Sequence, residues 1–354
     1  MKIAFLSTRS SLDPFRIGGS NNYARRVANE VQASHGHCSF YLYGAPQKER
    51  RLLPSGVTVD YLRDLRAALH QIAEARPDIV ISWQFYSRDN LVFLRFRRAF
   101  HRRIRFVHVY LSHTPNWIKR GLKYWLNRPY CHKTVAISPR LQRSLRRHGV
   151  ASELVLPPVP REYFLDPSSK RMDPPYTVTY LGRVDSDRGV DRLISALQWD
   201  DLTNSGSFRV KVYGLNNPLS PGADKLLGYL RSCDGIEYRE ATYEAGQSDP
   251  DTGALSAFRE TDILLLPFRD LSQTVDTPLT LLEGMASLCI PVFGDVPNMT
   301  QINGCSKFSL KQGSIASALG GIELADLVAE RKRLAARSSE LAFDTQSVVQ
   351  RLLA

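Results

Sequence analysis

No stretch of this chain approaches the roughly 18 consecutive apolar residues of a membrane-crossing helix, so no span is expected. Met1 to Ser7 hold an apolar core too short for a secretory signal and read as a first buried strand. Cysteine is sparse: Cys38, Cys131, Cys233, Cys289 and Cys305 are scattered, odd in number and without metal-ligand spacing. Reduced thiols of a cytoplasmic protein are expected, not disulfides or a metal site. No G-x-G-x-x-G follows a strand-like segment, so a nicotinamide cofactor has no support. There is no repeat with a period of about 20–50 residues and no low-complexity tract. Recognisable nucleic-acid-binding motifs are lacking, so no nucleic-acid partner is expected. Acidic residues are missing from one region: residues 101–150 hold 12 Lys and Arg and no Asp or Glu.

What is present points to a two-domain globular protein. The 354 residues, 43% of them hydrophobic, suffice for two ordinary cores. The net charge of +12 is uneven. Residues 1–170 carry 29 basic against 11 acidic side chains, a net of +18, while residues 171–354 carry 18 against 24, a net of −6. Such asymmetry suggests two domains with different partners. A basic half suits nucleic acid, anionic lipid or a phosphorylated acceptor.

Strand-like and helix-like segments alternate through the first half. Strands are expected at 2–7, 38–43, 78–82, 105–109, 134–137 and 154–156, with helices such as 22–33 and 139–148 between them. Pro157-Pro158-Val159-Pro160 and the polar stretch to Pro175 interrupt this pattern and read as the domain linker. The second half repeats it: strands at 177–181, 210–213, 262–266 and 290–293, helices at 190–197, 224–231 and 279–287, and helical structure from Leu324 to a last helix at 345–353. Alternation of this kind predicts parallel sheets covered by helices. The expected division is 1–160 and 171–340, with 341–354 as a C-terminal helix crossing back to the first domain. Two such α/β domains facing each other would turn their strand C-terminal ends, where ligands bind, to a shared cleft.

Several segments fall at those ends. Gly18-Gly19-Ser20-Asn21-Asn22-Tyr23 joins the first strand to the first helix. Paired glycines let a ligand approach backbone, and a helix N-terminus favours an anion. Tyr180-Leu181-Gly182-Arg183-Val184-Asp185-Ser186-Asp187-Arg188-Gly189 follows the second half's first strand. Its arginines suit a bidentate grip on a diphosphate, whose charge grows as it leaves. The neighbouring arginines also make an anion site a better reading of Asp185-Ser186-Asp187 than a metal site. His113 lies in the loop past 105–109, where an imidazole can meet a sugar hydroxyl or a developing charge; His108, on the strand, reads as structural. Asp276 to Ala286 runs from a loop into a helix whose first N–H groups lack internal partners and favour phosphate or sugar oxygens.

Taken together, these motifs resemble the retaining glycosyltransferases of family 4, which have the GT-B fold of two Rossmann-like, doubly wound domains. The resemblance covers nearly the whole chain. It rests on Gly18-Gly19, His113-Thr114-Pro115, Ala136-Ile137-Ser138, Pro157-Pro158-Val159, Gly182-Arg183 with Arg188-Gly189, and Leu282-Glu283-Gly284-Met285-Ala286. The family usually has Lys where this chain has Arg188. The resemblance implies metal-independent transfer of a sugar from a nucleotide diphosphate sugar, UDP- or GDP-linked, to an acceptor hydroxyl with retention at the anomeric carbon, and no cofactor. Arg183 and Arg188 would hold the donor diphosphate, and Glu283 the ribose. Gly19 would let the phosphate approach the first helix, and His113 would contact the transferred sugar. Thr277 to Thr280, including Leu279, would offer backbone N–H groups, except at Pro278.

One departure stands out. The family's Glu-x7-Glu element would place its first carboxylate at 275, where this chain has Val275. Asp276 is the expected substitute, contacting a donor sugar hydroxyl. Loss of that carboxylate leaves a rival reading open, a nucleotide-sugar-binding protein without turnover. In this fold the N-terminal domain reads the acceptor. Here it is the basic one, and Arg95-Phe96-Arg97-Arg98-Ala99-Phe100-His101-Arg102-Arg103 reads as a cationic amphipathic face. A lipid-linked, phosphorylated or cell-surface glycan acceptor and a peripheral position on an anionic inner membrane face are the corresponding expectations.

Overall fold

The computed structural model describes residues 1–83, 85, 89–112, 114, 116–170, 173–195, 207–215, 223–233, 235–241, 250–268, 275–294, 296–304, 319 and 323–354. The chain forms two compact units. The first comprises Met1–Pro158, Thr274–Thr277 and Phe343–Ala354; the second comprises Val159–Gln273 and Pro278–Ala342.

The first unit is built on an eight-stranded sheet. Its strands are β1 (Ile3–Thr8), β2 (Cys38–Tyr43), β3 (Glu49–Leu52), β4 (Thr58–Leu62), β5 (Ile79–Ser82), β6 (Arg105–Tyr110), β7 (Lys133–Ala136) and β8 (Glu153–Leu154), in the order β3-β4-β2-β1-β5-β6-β7-β8. Every pairing is parallel except β3 with β4. Strand side chains alternate between the two faces. Ile3 and Phe5 join a core with Tyr23 and Val27 of α1 (Gly19–His35), while Ala4 and Leu6 join a second core with Leu65 and Leu69 of α2 (Leu65–Ala75) and Phe93 of α3 (Asn90–Phe100). Burial on both faces explains the near-continuous apolar runs of these strands.

Polar caps delimit the helices. Asp64, Asn116 and Ser138 accept from the backbone N–H of Ala67, Lys119 and Leu141 at the starts of α2, α4 (Trp117–Asn127) and α5 (Pro139–Arg147). The C-terminal helix Thr345–Leu353 returns to the first unit, where Val348, Val349 and Leu352 enter the α1-side core. Arg105 donates to the Leu353 carbonyl at 2.7 Å.

The hairpin β3–β4 was not foreseen, because Glu49–Leu52 is exposed along its whole length and shows no alternation. It is an edge strand, pinned by Arg50 Nε to the buried Asp60 at 2.6 Å. The cationic face expected at 95–103 is only partly present. Arg97 is fully buried and donates to the carbonyls of Asn127 at 2.6 Å and Leu126 at 2.8 Å, and Phe96 packs on Phe100 and Phe106. Arg95, Arg98, Arg102 and Arg103 remain exposed. The inward turn of Arg97 satisfies the last carbonyls of α4, which have no partners within the helix.

The second unit has five parallel strands, β9 (Tyr176–Arg183), β10 (Phe208–Leu215), β11 (Ile236–Ala241), β12 (Ile263–Leu266) and β13 (Ile290–Phe293), in the order β11-β10-β9-β12-β13. Its described helices are Val190–Ser195, Ala223–Ser232, Pro250–Glu260, Leu279–Ala286, Pro297–Asn303 and Leu324–Leu341. A buried ion pair, Arg331 to Asp262 at 2.6 Å, fastens the last of these to the sheet, and Asp262 also accepts from the Thr177 N–H at 2.9 Å. The stretch after Val159 packs onto this unit. Tyr163 is fully buried, its carbonyl accepting from Ser287 Oγ at 3.1 Å, and Lys170 Nζ donates to the carbonyls of Phe258 and Thr261 at 2.8 and 2.6 Å. These bonds satisfy carbonyls at the end of the helix Pro250–Glu260, where a cation is favoured.

Candidate functional site

In the second unit the chain leaves β9 toward β10 on one side, while β12 lies on the other. The carboxyl ends of β9 and β12 therefore flank a topological switch point, where open α/β sheets bind ligands. Arg183 ends β9, and Asp185, Arg188 and Gly189 follow it. The local fold is explicit. Asp185, nearly fully buried, accepts from the Arg188 N–H at 2.9 Å and approaches Arg183 Nε to 3.2 Å. The turn closes on Gly189 at φ 75°. A Cβ there would stand 1.9 Å from the Pro267 carbonyl oxygen, so only glycine lets this turn lie against the end of β12. The Arg188 guanidinium lies 5.2 Å from the Phe268 ring centroid, just past β12. Both sequence-nominated arginines thus stand at the switch point, one anchored by a carboxylate and one laid on an aromatic ring.

Helix Leu279–Ala286 packs on the same strand. Gly284 makes the close contact, since a Cβ at that position would meet Leu264 Cδ2 at 2.4 Å. That approach accounts for glycine at this position. Leu279 and Glu283 are buried, Glu283 only 4% exposed, and Thr280 is half-buried. Pro278 precedes the helix at its N-cap, and no side chain caps that end.

The remaining candidates lie in the first unit. Gly18, at φ 151°, precedes α1, and Gly19 is its first residue. They follow β1, whose neighbours β2 and β5 lie on opposite sides, so this too is a switch point. Residues 275–277 are stitched to the ends of β6 and β7. The Asp276 N–H donates to the Leu111 carbonyl at 2.8 Å, and Thr277 Oγ1 donates to the Ile137 carbonyl at 2.6 Å. The Asp276 carboxylate, 2% exposed, accepts a hydrogen bond from Ser138 Oγ and stands 3.7 Å from Arg140. Burial raises its pKa above the ordinary carboxyl value, while the Ser138 hydroxyl and the Arg140 charge draw it down. Ser138 of the Ala-x-Ser motif therefore both caps α5 and holds Asp276.

His113 lies outside the described residues. His108 is buried on β6 and bonded to Ser82 at 2.8 Å, and burial pushes its imidazole well below the ordinary range. Sequence reasoning missed Phe268, Ser138 and Arg140 as partners of the nominated residues. Only the Ala-x-Ser motif marked one of them. Among the described residues no group of three or more His, Cys, Asp or Glu stands where it could hold a metal ion.

No protein-family model and no curated protein matches the sequence. Solved structures do match. Sucrose-phosphate synthase from Thermosynechococcus elongatus superposes with a TM-score of 0.70 at 16% identity, over 99% of this chain and 96% of that one. Anabaena HepE in complex with UDP gives 0.71 at 11% identity, over 100% and 98%; its complex with UDP-glucose gives 0.67 at 13%, over the same shares. A UDP-forming α,α-trehalose-phosphate synthase from Burkholderia vietnamiensis gives 0.66 at 10%, over 100% and 99%. The fold is GT-B. The GT-B likeness spans both units of the chain, and each unit's sheet has a topological switch point with nominated residues beside it.

Proposed function

We propose that this GT-B protein is a glycosyltransferase of the family-4 type, moving a hexose from a UDP-linked sugar to an acceptor hydroxyl with retention and without a metal. The observation that carries the reading is the Gly182-to-Gly189 turn, which sets Arg183 and Arg188 at the switch point of the second unit beside helix Leu279–Ala286. Two fixed guanidinium charges suit a diphosphate leaving group, and they neutralise its growing negative charge in place of a divalent ion. The N–H groups at the start of Leu279–Ala286, at Leu279 and Thr280, add partial positive charge. Glu283 serves the ribose, and the Gly18-Gly19 turn admits the donor phosphate to α1. His113 meets the transferred sugar. Asp276, buried and bonded to Ser138, acts as a positioning residue for the 275–277 segment rather than as a direct ligand of the sugar. The bound UDP and UDP-glucose of HepE favour uridine over guanosine as the donor nucleoside. The acceptor we propose is a lipid-linked or cell-surface glycan, met by the basic first unit.

A thermal-shift panel of UDP- and GDP-sugars tests this. A donor at one hundred times its dissociation constant stabilises by about 2.7 kcal/mol, an easily read shift. UDP-sugars are expected to raise Tm and to be hydrolysed or transferred with the anomeric configuration kept, as read by NMR of the product. A panel in which no nucleotide sugar shifts Tm would sink the proposal. Binding without turnover would leave a nucleotide-sugar-binding protein.

A further inference from the structure

On α4, Ile118, Leu122 and Trp125 recur at i, i+4 and i+7 and are 61%, 56% and 66% exposed. That spacing puts them on one stripe along the helix. Singly exposed apolar side chains are ordinary on a soluble surface, but a contiguous set of large ones marks an interaction face. The opposite side of the helix is the packed one. Tyr124 is buried against Tyr110 at 5.1 Å and His148 at 5.2 Å, and Asn127 bonds Asn90 at 3.1 Å.

Charge says what the stripe meets. Exposed Lys119 and Arg128 border it on its two sides, and α4 touches both α3 and α5, which expose further arginines. Residues 101–150, which contain the whole helix, hold 12 basic side chains and no acidic one. A protein partner would need to be strongly acidic around an apolar centre. An anionic bilayer offers both features at once: acyl chains for Ile118, Leu122 and Trp125, and headgroup phosphates for the flanking cations. Trp125 near the end of the stripe suits the headgroup boundary, where an indole sits with one edge wet.

We infer that α4 is a membrane-docking helix that lies in the plane of an anionic lipid surface with Ile118, Leu122 and Trp125 inserted. The inference deepens the reading of a lipid-linked acceptor, and it moves the docking surface from 95–103, where Arg97 faces inward, to α4. Its test needs neither donor nor acceptor, so the two readings fail separately.

Full-length protein is sedimented with vesicles of phosphatidylcholine alone and of phosphatidylcholine mixed with phosphatidylglycerol. Binding is expected only with phosphatidylglycerol and should weaken as salt is raised. The double variant Leu122→Asp/Trp125→Asp is expected to lose roughly tenfold or more of that binding, since both buried apolar contacts go. Its Tm should match the wild type, because both side chains are exposed. The charge variant Lys119→Glu/Arg128→Glu should lose binding to phosphatidylglycerol as well. Equal binding to both vesicle types, or undiminished binding by both variants, overturns the inference. So does a lipid-independent dimer in sedimentation velocity that the Leu122/Trp125 variant abolishes, which would assign the stripe to a second copy of the chain.

Discussion

Gly19 faces Val275: a Cβ on Gly19 would stand 3.4 Å from Val275 Cγ2, and Val275 leans on the core of the first unit. The position at which the family motif has a carboxylate thus holds an apolar side chain at the start of α1. A helix N-terminus favours negative charge by about 0.3–1 kcal/mol. Val275→Glu is expected to fold and to change relative kcat/KM among UDP-sugars by about two- to fivefold. An unchanged donor ranking would show that this corner does not meet the sugar.

Arg183 is held by Asp185 at the end of β9. Arg183→Ala should cut turnover by roughly 10²–10³, the usual effect of losing one charge-stabilising donor. Arg183→Lys should recover part of it, because the charge returns without the bidentate fork. Steady-state kinetics beside a melting curve checks this; near-normal kcat in folded Arg183→Ala would remove the arginine from the mechanism.

Gly189 meets two demands at once, a φ of 75° and a Cβ direction blocked by the Pro267 carbonyl. Gly189→Ala should therefore destabilise the second unit by roughly 2–5 kcal/mol, combining backbone strain with overpacking. Urea unfolding reads the loss. Donor affinity should fall with it, because the same turn carries Arg188.

Asp276 predicts a pH signature. Its pKa is raised by burial, so the native state binds this proton more tightly than the unfolded chain does. The group's contribution to stability is greatest below the ordinary carboxyl value. It declines as pH rises through the native pKa and then levels off. Asp276→Asn removes that decline while keeping the side chain's size. The difference in Tm, variant minus wild type, should grow as pH is raised from the acid range and then reach a plateau. A difference independent of pH contradicts the assignment.

Much of this architecture could be read before the structure. The strands β1, β2, β5, β6, β12 and β13, buried on both faces, announce themselves by largely apolar runs. The arginine turn follows the strand expected at 177–181, and the Leu282-to-Ala286 motif lies on the helix expected at 279–287. What escaped was set by distant partners. Exposed β3 exists because β4 offers it an edge and Asp60 an ion pair, neither of which is visible in Glu49–Leu52. By sequence Arg97 reads as surface, because its role depends on the carbonyls of α4, some 30 residues on. Val275 to Thr277 read as part of the second unit by sequence neighbourhood. They belong to the first, because Leu111, Ile137 and Ser138 satisfy their polar groups.

The C-terminal helix Thr345–Leu353 carries a consequence for how the molecule is made. The first unit begins at Met1 but takes Val348, Val349 and Leu352 into its core. A ribosome has therefore synthesised the second unit before the first can close. The nascent N-terminal half must wait with an incomplete core and an open α1 face. Removal of residues 345–353 would strike the unit synthesised earlier, not the one that precedes them directly in sequence.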